Sequence, residues 1–252
     1  MWHNARLLNG ISKGILLLFL LIVLMGCFLW YAQRPLFALD TLYIREESGK
    51  TLRHVDKQVI RDKALPLIKG SFFTVELESV RSAFKTIPWI RDVSVRRKWP
   101  NGLIVLVEEH KPLGTWGKQG ELLSVKGDVF IVNRAEAEED ARLLSFSGPK
   151  GSEKEVTARY MDLKQWFSPI GLKPFVLELS ERYAWKLKLD NGMTVKLGRE
   201  RESNRMQEQV ARFLAAYPRL TARFGRIDNV DLRYPNGLAL RGAAAETQRS
   251  GG

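Results

Sequence analysis

Cysteine and histidine are both scarce in this sequence of 252 residues, and their scarcity removes two kinds of chemistry. The one cysteine, Cys27, lies in an apolar stretch, so the rest of the chain can form neither a disulfide nor a thiolate metal site. The three histidines, His3, His54 and His110, are scattered, and no two of them have the helical spacing of a ligand pair. We therefore predict no metal site and no cofactor.

Charged residues are absent from one long stretch, residues 14–33. Its length is that with which an α-helix crosses the hydrocarbon core of a bilayer, about 30 Å thick. Polar residues do not recur in it once per turn, as they would in an amphipathic core helix. Trp30 and Tyr31 near its end, followed by Arg34, are typical of a membrane–water interface. The stretch is predicted to be a transmembrane helix.

A cleaved signal is the alternative interpretation of this stretch. The run is too long for a signal peptide, and no small-residue cleavage motif follows it. Residues 24–27, LMGC, faintly resemble a lipobox, but the next residues are apolar where a mature lipoprotein would be polar. An uncleaved anchor is favoured. The leader, residues 1–13, carries Arg6 and Lys13 and no acid, which favours a cytoplasmic N-terminus with about 220 residues outside.

The balance of charge is strongly basic, because 40 Lys and Arg residues oppose 28 Asp and Glu residues and give a net charge of +12. These residues are spread along the chain among the acids, and the anchor places most of them outside the cytoplasm. Nucleic acid is therefore not the predicted partner. Anionic lipid and acidic proteins fit the charge better.

Hydrophobic periodicity predicts five elements directly after the anchor. The first is a strand over 37–45, followed by a helix over 55–68 that Pro66 and Gly70 terminate. A second helix begins at an N-cap on Thr74 and ends at Pro88. Two strands then follow, at 90–99 and 103–107, joined by a turn at 100–102. The order β-α-α-β-β predicts two helices on one face of a small sheet.

One run in this region carries a specific resemblance. Ile87 to Trp116, IPWIRDVSVRRKWPNGLIVLVEEHKPLGTW, resembles the POTRA-domain signature of the FtsQ/DivIB family of bacterial cell-division proteins. GPKGS at 148–152 and NVDLRYPNGLAL at 229–240 also resemble that family, so the resemblance covers nearly the whole chain. It implies an α+β fold with this layout: a cytoplasmic leader (1–13), a transmembrane helix (14–33), a POTRA domain (36–110), a β-rich domain with flanking helices (111–242) and a disordered tail (243–252).

The second domain can also be interpreted from its own pattern. Short strands are predicted at 113–116, 121–125, 129–132 and 143–146. Residues 152–155, SEKE, have capping-box spacing and predict the start of a helix. A further helix is predicted to stop at Pro218. The apolar faces of the two helices are expected to contain Val156, Tyr160, Leu163 and Phe167 in the first, and Met206, Val210, Phe213, Leu214 and Tyr217 in the second.

Asn-Gly pairs in three predicted hairpins allow predictions of strand register. A three-residue loop over 190–192 puts every apolar side chain on one face, as a one-sided sheet requires. The same loop length at 235–237 and at 100–102 predicts type I turns that end in a left-handed glycine. The cross-strand pairs that follow are Leu189–Met193, Leu187–Val195 and Trp185–Leu197 in one hairpin, and Tyr234–Leu238, Leu232–Leu240 and Asp231–Arg241 in the last.

The family resemblance implies a function without catalysis. Its members are scaffolds of the divisome that link early and late division proteins at the septum. It implies a single-pass protein of the inner membrane, with its N-terminus in the cytoplasm and its bulk in the periplasm. The implied partners are the FtsB/FtsL pair, with FtsK and other divisome proteins. Weak self-association stays open.

The resemblance also implies which residues bind partners. FtsB is expected to add a strand to the last hairpin, 227–241, whose final strand is predicted to lie at a sheet edge. The residues implied for FtsB/FtsL binding are Tyr234, Arg233, Gly237, Leu238, Ala239, Leu240 and Arg182. The positions that match septal recruitment in the POTRA domain are Asp92, Val95 and Arg97.

Simpler roles remain open for several of these residues. Tyr234 could pack inward over Leu238, and Arg182 could be a solvated charge at a strand end. Val95 alternates with polar neighbours and is expected in the core, whereas Arg97 breaks that alternation and is expected to be exposed.

A membrane-anchored cell-wall enzyme is the alternative to the scaffold. The sequence contains no Gly-x-Ser-x-Gly elbow, no glycine-rich phosphate loop and no nucleophile–base constellation. Its acids are numerous, so a carboxylate pair in a cleft stays open at this level. An enzyme would need a pocket lined by acids or a histidine, whereas a scaffold works through strand edges and surface patches.

Overall fold

The computed structural model describes residues 5–32, 39–47, 49, 51–117, 120–132, 144–200, 205–234 and 237–242. Helix α1 runs from Ala5 to Ala32 and is long and apolar enough to cross a bilayer, with exposed side chains over residues 10–27. The predicted interface side chains at 30, 31 and 34, and the predicted disordered tail, lie outside the description. The chain divides into two compact units, residues 1–109 and 110–252.

The first unit is built on a three-stranded sheet in the order β1-β3-β2. Strand β1 (Thr41–Glu46) is parallel to β3 (Gly102–Glu109), and β2 (Ile90–Lys98) is antiparallel to β3. Helix α2 (Leu77–Lys85) packs on β2, and its apolar residues fill the core between helix and sheet. The buried side chains include Val80, Phe84, Ile87, Val93, Val105 and Val107. The predicted β-α-α-β-β order is confirmed.

The first predicted helix of this unit is broken into three short turns. An α-helical turn (Lys57–Val59), a π-helical turn (Ile60–Ala64) and a 3₁₀ turn (Leu65–Leu67) follow one another. Pro66 has no N–H, and its ring would clash with the carbonyl four residues earlier in a regular α-helix. The wide turn before it and the tight turn around it accommodate that restriction.

The prediction that Thr74 caps α2 is wrong. Glu76 occupies the N-cap position without a side-chain capping hydrogen bond, and its carboxylate accepts from the Ser79 hydroxyl at 2.7 Å. Thr74 Oγ1 instead accepts the backbone N–H of Ser71 at 2.8 Å. The threonine therefore closes the preceding turn, and the helix begins one residue after Glu76.

The turn between β2 and β3 also differs from the prediction. The strands close at the pair Lys98–Gly102, so the loop consists of Trp99, Pro100 and Asn101. Gly102 is the first residue of β3 and has no positive φ, and the peptide between Trp99 and Pro100 is cis. The three-residue length is right, but the loop lies one residue earlier than the Asn-Gly pair indicated.

The second unit contains a nine-stranded sheet in the order β12-β11-β10-β9-β8-β7-β4-β5-β6. Five of the eight neighbouring pairs are antiparallel, while β4–β7, β7–β8 and β10–β11 are parallel. Its strands are β4 (Pro112–Trp116), β5 (Glu121–Ser124), β6 (Val129–Phe130), β7 (Leu144–Ser147), β8 (Pro174–Leu179), β9 (Ala184–Leu189), β10 (Thr194–Arg199), β11 (Ile227–Asp231) and β12 (Ala239–Gly242).

Two helices, α3 (Glu153–Phe167) and α4 (Arg205–Phe224), pack into one apolar core with this sheet. The predicted capping box at α3 is wrong, because the Ser152 hydroxyl donates to the Pro149 carbonyl instead of capping the helix. Helix α4 continues through Pro218 rather than stopping there. Pro218 is exposed, so water can serve the carbonyl that loses its helical partner.

The hairpin of β9 and β10 follows the predicted register near its turn. Leu189 N–H donates to the Met193 carbonyl at 2.9 Å, Leu187 lies opposite Val195, and Gly192 has a φ of +88°. Trp185, however, lies opposite Gly198 rather than Leu197, because a bulge shifts the register after Lys196. Gly198 has a φ of +79°, a conformation that sequence periodicity does not reveal.

A buried carboxylate orders the segment that precedes the first helical turn. Glu109 at the end of β3 is 7% exposed and accepts the backbone N–H groups of Arg53, His54 and Val55 at 2.9, 3.1 and 2.9 Å. The His54 ring stacks on Trp89 with centroids 3.7 Å apart. Glu109 thus ties this loop to the sheet.

Replacing Glu109 with Ala should free these three donors and lower the free energy of unfolding by roughly 3 kcal/mol. Hydrogen exchange of the amides at 53–55, measured in the full chain, should become more than about tenfold faster. Glu109→Gln keeps one acceptor oxygen, so its exchange rates should lie between those of the unsubstituted chain and of Glu109→Ala. Glu47→Ala is an exposed control and should leave these exchange rates unchanged. Unaltered protection in Glu109→Ala would show that the carboxylate does not order this loop.

Candidate functional site

Strand β12 forms one end of the nine-stranded sheet in the described part of the chain, where it pairs with β11 alone. Its edge position, as predicted, is confirmed. An edge strand exposes backbone N–H and C=O groups to which another chain can add. Arg241 is the one charged side chain among residues 239–242, so little charge guards this edge.

The register of this last hairpin differs from the predicted one by two residues. Asn229 lies opposite Arg241, Val230 opposite Leu240 and Asp231 opposite Ala239. The predicted pairs Tyr234–Leu238, Leu232–Leu240 and Asp231–Arg241 are therefore wrong. Strand β11 ends at Asp231, and residues 232–238 form a connection longer than a three-residue turn. Residues 235 and 236, on which the turn prediction falls, lie outside the description. A shift of two residues keeps each side chain on its predicted face.

One hydrogen bond establishes which side of β12 is free. Leu232 N–H donates to the Lys196 carbonyl on β10 at 2.9 Å, so the backbone groups of Leu232 and Val230 face β10. Successive residues of a strand direct these groups to opposite sides, so Asn229 and Asp231 face β12. Their partners Arg241 and Ala239 accordingly face inward. The N–H and C=O groups of Leu240, which lies between them, face away from the sheet.

A basic groove lies in the same unit and includes Arg233, three residues beyond Val230 in the chain. It has a volume of about 450 Å³ and is lined by Ser180, Arg182, Ala184, Leu197, Gly198, Arg199, Arg205, Met206, Gln209 and Arg233. Among these described residues are four arginines and no carboxylate. Met206 and Gln209 on α4 are buried, and they close the groove on its inner side. A concave site of this charge suits acidic side chains.

Arg233 is held in place by Asp231. Its Nη2 donates to Asp231 Oδ2 at 2.6 Å and its Nε to Oδ1 at 2.8 Å, a bidentate pair. The hydrogen bonds from Arg233 lower the pKa of Asp231, so the carboxylate stays ionised and the pair persists. A Cβ on Gly198 would lie 2.9 Å from Arg233 Cγ, so the bulge glycine gives the arginine room to cross β10.

The other predicted partner-binding residues differ in exposure. Tyr234 is 53% exposed, which leaves most of its ring available rather than packed inward. Leu238 and Leu240 are half-buried against the core, and Ala239 is exposed, as is Gly237. The structure thus brings Arg182 and Arg233 to one groove, and it places Ala239 and Leu240 on the edge strand.

The predicted recruitment residues of the first unit lie on β2, which is an edge strand of its sheet. Asp92 accepts from Arg81 Nη2 at 3.0 Å and lies 3.3 Å from Lys85 Nζ. The hydrogen bond from Arg81, together with that from the backbone of Val93 and with Lys85, lowers the pKa of Asp92 to about 2. A shallow groove beside this ion pair is lined by residues of α2 and β2, including Asp92 and Val95.

Val95 and Arg97 have more structural contacts than the sequence indicated. Val95 is half-buried opposite Val105 rather than fully in the core. Arg97 is exposed as expected, yet its Nε donates to the Phe72 carbonyl at 2.9 Å and its Nη2 to the Val75 carbonyl at 2.8 Å. The guanidinium therefore ties the turn before α2 to β2.

Sequence reasoning missed Arg199 and Arg205. They end β10 and begin α4, and residues 201–204 between these elements lie outside the description. In the sequence they belong to a charged run, GRERESNR, in which arginines and glutamates alternate. That pattern is typical of a solvated loop, so only the structure shows that both arginines line one groove.

Comparison with known proteins agrees with this architecture. Residues 48–110 match the family model described as POTRA domain, FtsQ-type, and residues 114–233 match Cell division protein FtsQ/DivIB, C-terminal. Together these matches cover most of both units.

Full-length relatives are similar over nearly the whole chain. Cell division protein FtsQ of Burkholderia pseudomallei is 48% identical over 96% of this chain and 95% of its own length. The proteins of the same name from Bordetella pertussis and Nitrosospira multiformis are 36% and 35% identical over 95% and 96% of this chain, and over 92% and 99% of their own lengths. The chain therefore belongs to the FtsQ/DivIB family of cell-division proteins.

Proposed function

We propose that this chain is a non-catalytic scaffold of the divisome that binds FtsB, presented with FtsL, by adding a strand of FtsB to the outer edge of β12. The observation that carries the proposal is the outward-facing backbone of Leu240 on a nearly uncharged edge strand. Backbone pairing along such an edge supplies affinity with little dependence on sequence.

Selectivity would come from side chains near this edge. Arg182, Arg199, Arg205 and Arg233 offer several guanidinium groups to acidic residues of the incoming chain. Tyr234, exposed near the start of the connection, offers an aromatic contact of the kind enriched at binding hot spots. The arginines would also accelerate association, because opposite charges steer two proteins together.

The scaffold is favoured over the cell-wall enzyme by the chemistry of this groove. An enzyme of that class would need a cleft with two acids or a histidine, and the described lining offers arginines in their place. The family identity supports a role in division.

The remaining parts of the chain have proposed roles of their own. Residues 1–13 form a cytoplasmic leader, 14–33 the single span, 36–110 the POTRA domain and 111–242 the partner-binding β domain, with the bulk in the periplasm at the septum. The β2 edge around Asp92 and Val95 would bind a second divisome protein, for which FtsK is the candidate. Free β12 edges could also pair with each other, which would give weak self-association.

The strand-addition site can be tested with two substitutions at one position. Leu240→Pro removes the outward N–H and also part of the side chain, whereas Leu240→Ala shortens the side chain but keeps the N–H. The affinity of the full chain for an FtsB/FtsL complex should be at least tenfold lower for Leu240→Pro than for Leu240→Ala, a difference of about 1.4 kcal/mol. Biolayer interferometry in detergent micelles measures the affinities of both variants. Tyr234→Ala should also weaken binding.

Near-ultraviolet circular dichroism should confirm that each variant retains its tertiary packing. Ala239→Pro is not suitable, because the backbone of Ala239 faces β11 and proline there would break the internal ladder. Equal affinities for Leu240→Pro and Leu240→Ala would show that FtsB does not bind at the outer edge of β12.

Charge reversal at Arg182 should test the basic groove. Arg182→Glu is expected to weaken FtsB/FtsL binding more at 50 mM than at 500 mM salt, since salt screens exposed charges. Arg219→Glu changes the net charge equally but lies about 21 Å along α4 from Arg205, by the rise of a helix. If both variants bind with the same affinity at low salt, the groove is not part of the interface.

Two variants on β2 separate recruitment from folding. Arg97→Ala should lower the melting temperature and speed hydrogen exchange in residues 71–75, because two charge-assisted hydrogen bonds are lost. Asp92→Ala should leave that turn protected, and reduced septal localisation of this variant would then report a lost partner. Normal localisation of a folded Asp92→Ala variant would remove Asp92 from the recruitment surface.

A further inference from the structure

The loop between β2 and β3 lies at the end of the sheet from which the chain leads back to the membrane span. Thr41, the first residue of β1, pairs with Gly102, and Gly102 pairs with Lys98. Asp40 N–H donates to the Asn101 carbonyl at 3.2 Å. Residues 96–101, which we term the β2–β3 tip, are therefore in direct contact with the chain entering β1.

The length of chain between α1 and β1 limits how far this tip can lie from the bilayer. Helix α1 ends at Ala32 and β1 begins at Thr41, so eight residues connect them. Eight residues span about 30 Å at most, even when fully extended. The β2–β3 tip is thus tethered close to the point where the span leaves the membrane.

The side chains of the tip are those that favour a membrane interface. Trp99 is 77% exposed, the most exposed aromatic residue among the described side chains. Arg96 and Lys98 are exposed on either side of Arg97, and Lys98 Nζ lies 3.6 Å from the centroid of the Tyr43 ring. Tryptophan and tyrosine are enriched at headgroup level, and basic residues are attracted to anionic lipids. One acid, Asp40, contacts the tip through its backbone N–H.

The opposite end of the same sheet has the opposite character. Four glutamates are found there, Glu46, Glu47, Glu108 and Glu109, with Arg45, Arg53 and Arg91 as the neighbouring bases. The five residue steps from Thr41 to Glu46 cover about 17 Å, which is longer than the Debye length of about 8 Å at physiological salt. A bilayer surface at the tip would thus attract the bases without repelling the glutamates.

We propose that the β2–β3 tip binds the anionic lipid surface beside the span, with Trp99 at the headgroup level and Arg96 and Lys98 near lipid phosphates. The contact would restrict how the first unit tilts on its tether. It rests on α1 crossing the bilayer and is independent of partner binding at β12.

Fluorescence quenching in nanodiscs tests this proposal on the full chain. In a Cys27→Ser background, a fluorophore is attached either at Asn101→Cys or at Glu47→Cys. These two positions lie at opposite ends of the three-stranded sheet. Headgroup-labelled nitroxide lipids should quench the Asn101 reporter at least threefold more than the Glu47 reporter in discs containing phosphatidylglycerol. Equal quenching of the two reporters would overturn the proposal.

Two further changes test the chemistry of the contact. Quenching at Asn101 should fall several-fold in pure phosphatidylcholine discs, in an Arg96→Glu/Lys98→Glu variant and in Trp99→Ala, with circular dichroism confirming a folded chain. The Glu108→Gln variant serves as the control at the far end and should leave the signal unchanged. Quenching that is the same for anionic and neutral lipid would rule out lipid charge, and quenching that needs an added acidic protein would assign the tip to a protein partner instead.

Discussion

Backbone hydrogen bonding across β10 and β11 controls the exposed edge of the second unit. The Leu232 N–H bond to the Lys196 carbonyl directs even-numbered residues of β11 toward β10 and odd-numbered ones toward β12. Because Leu240 lies opposite Val230, its backbone N–H and C=O groups point away from the sheet, while its side chain packs on the core. Core packing and edge availability are thus fixed by the same ladder, and a one-residue slip would lose both.

Charge is organised around that edge by a few close contacts. Asp231 orients Arg233, and the bulge at Gly198 provides the space that Arg233 crosses. Such pre-organisation reduces the side-chain entropy lost when an acidic ligand binds. Part of the Arg233 guanidinium stays committed to Asp231, and Arg182, Arg199 and Arg205 line the same groove.

The sequence predicted those features that depend on local hydrophobic periodicity. It did not predict features that depend on pairing with strands distant in the chain. The apolar faces of α3 and α4, and the Leu187–Val195 pair, follow from spacing alone. The bulge at Gly198 lies where β10 pairs with β9. Strand β11 ends at Asp231, whose carboxylate accepts the backbone N–H of Arg233. Arg199 and Arg205 are brought to one groove by the return of α4 over the sheet, which no local pattern encodes.

The order of strands has a consequence for biogenesis. Strand β11 joins the sheet only after the chain has passed through α4, and β12 in turn pairs only with β11 in the described structure. Helix α1 is therefore synthesised before β12, the proposed docking edge. A chain truncated before Ala239 would be inserted in the membrane yet lack the outer strand. The edge proposed to bind FtsB is thus completed only when the chain has been made as far as β12.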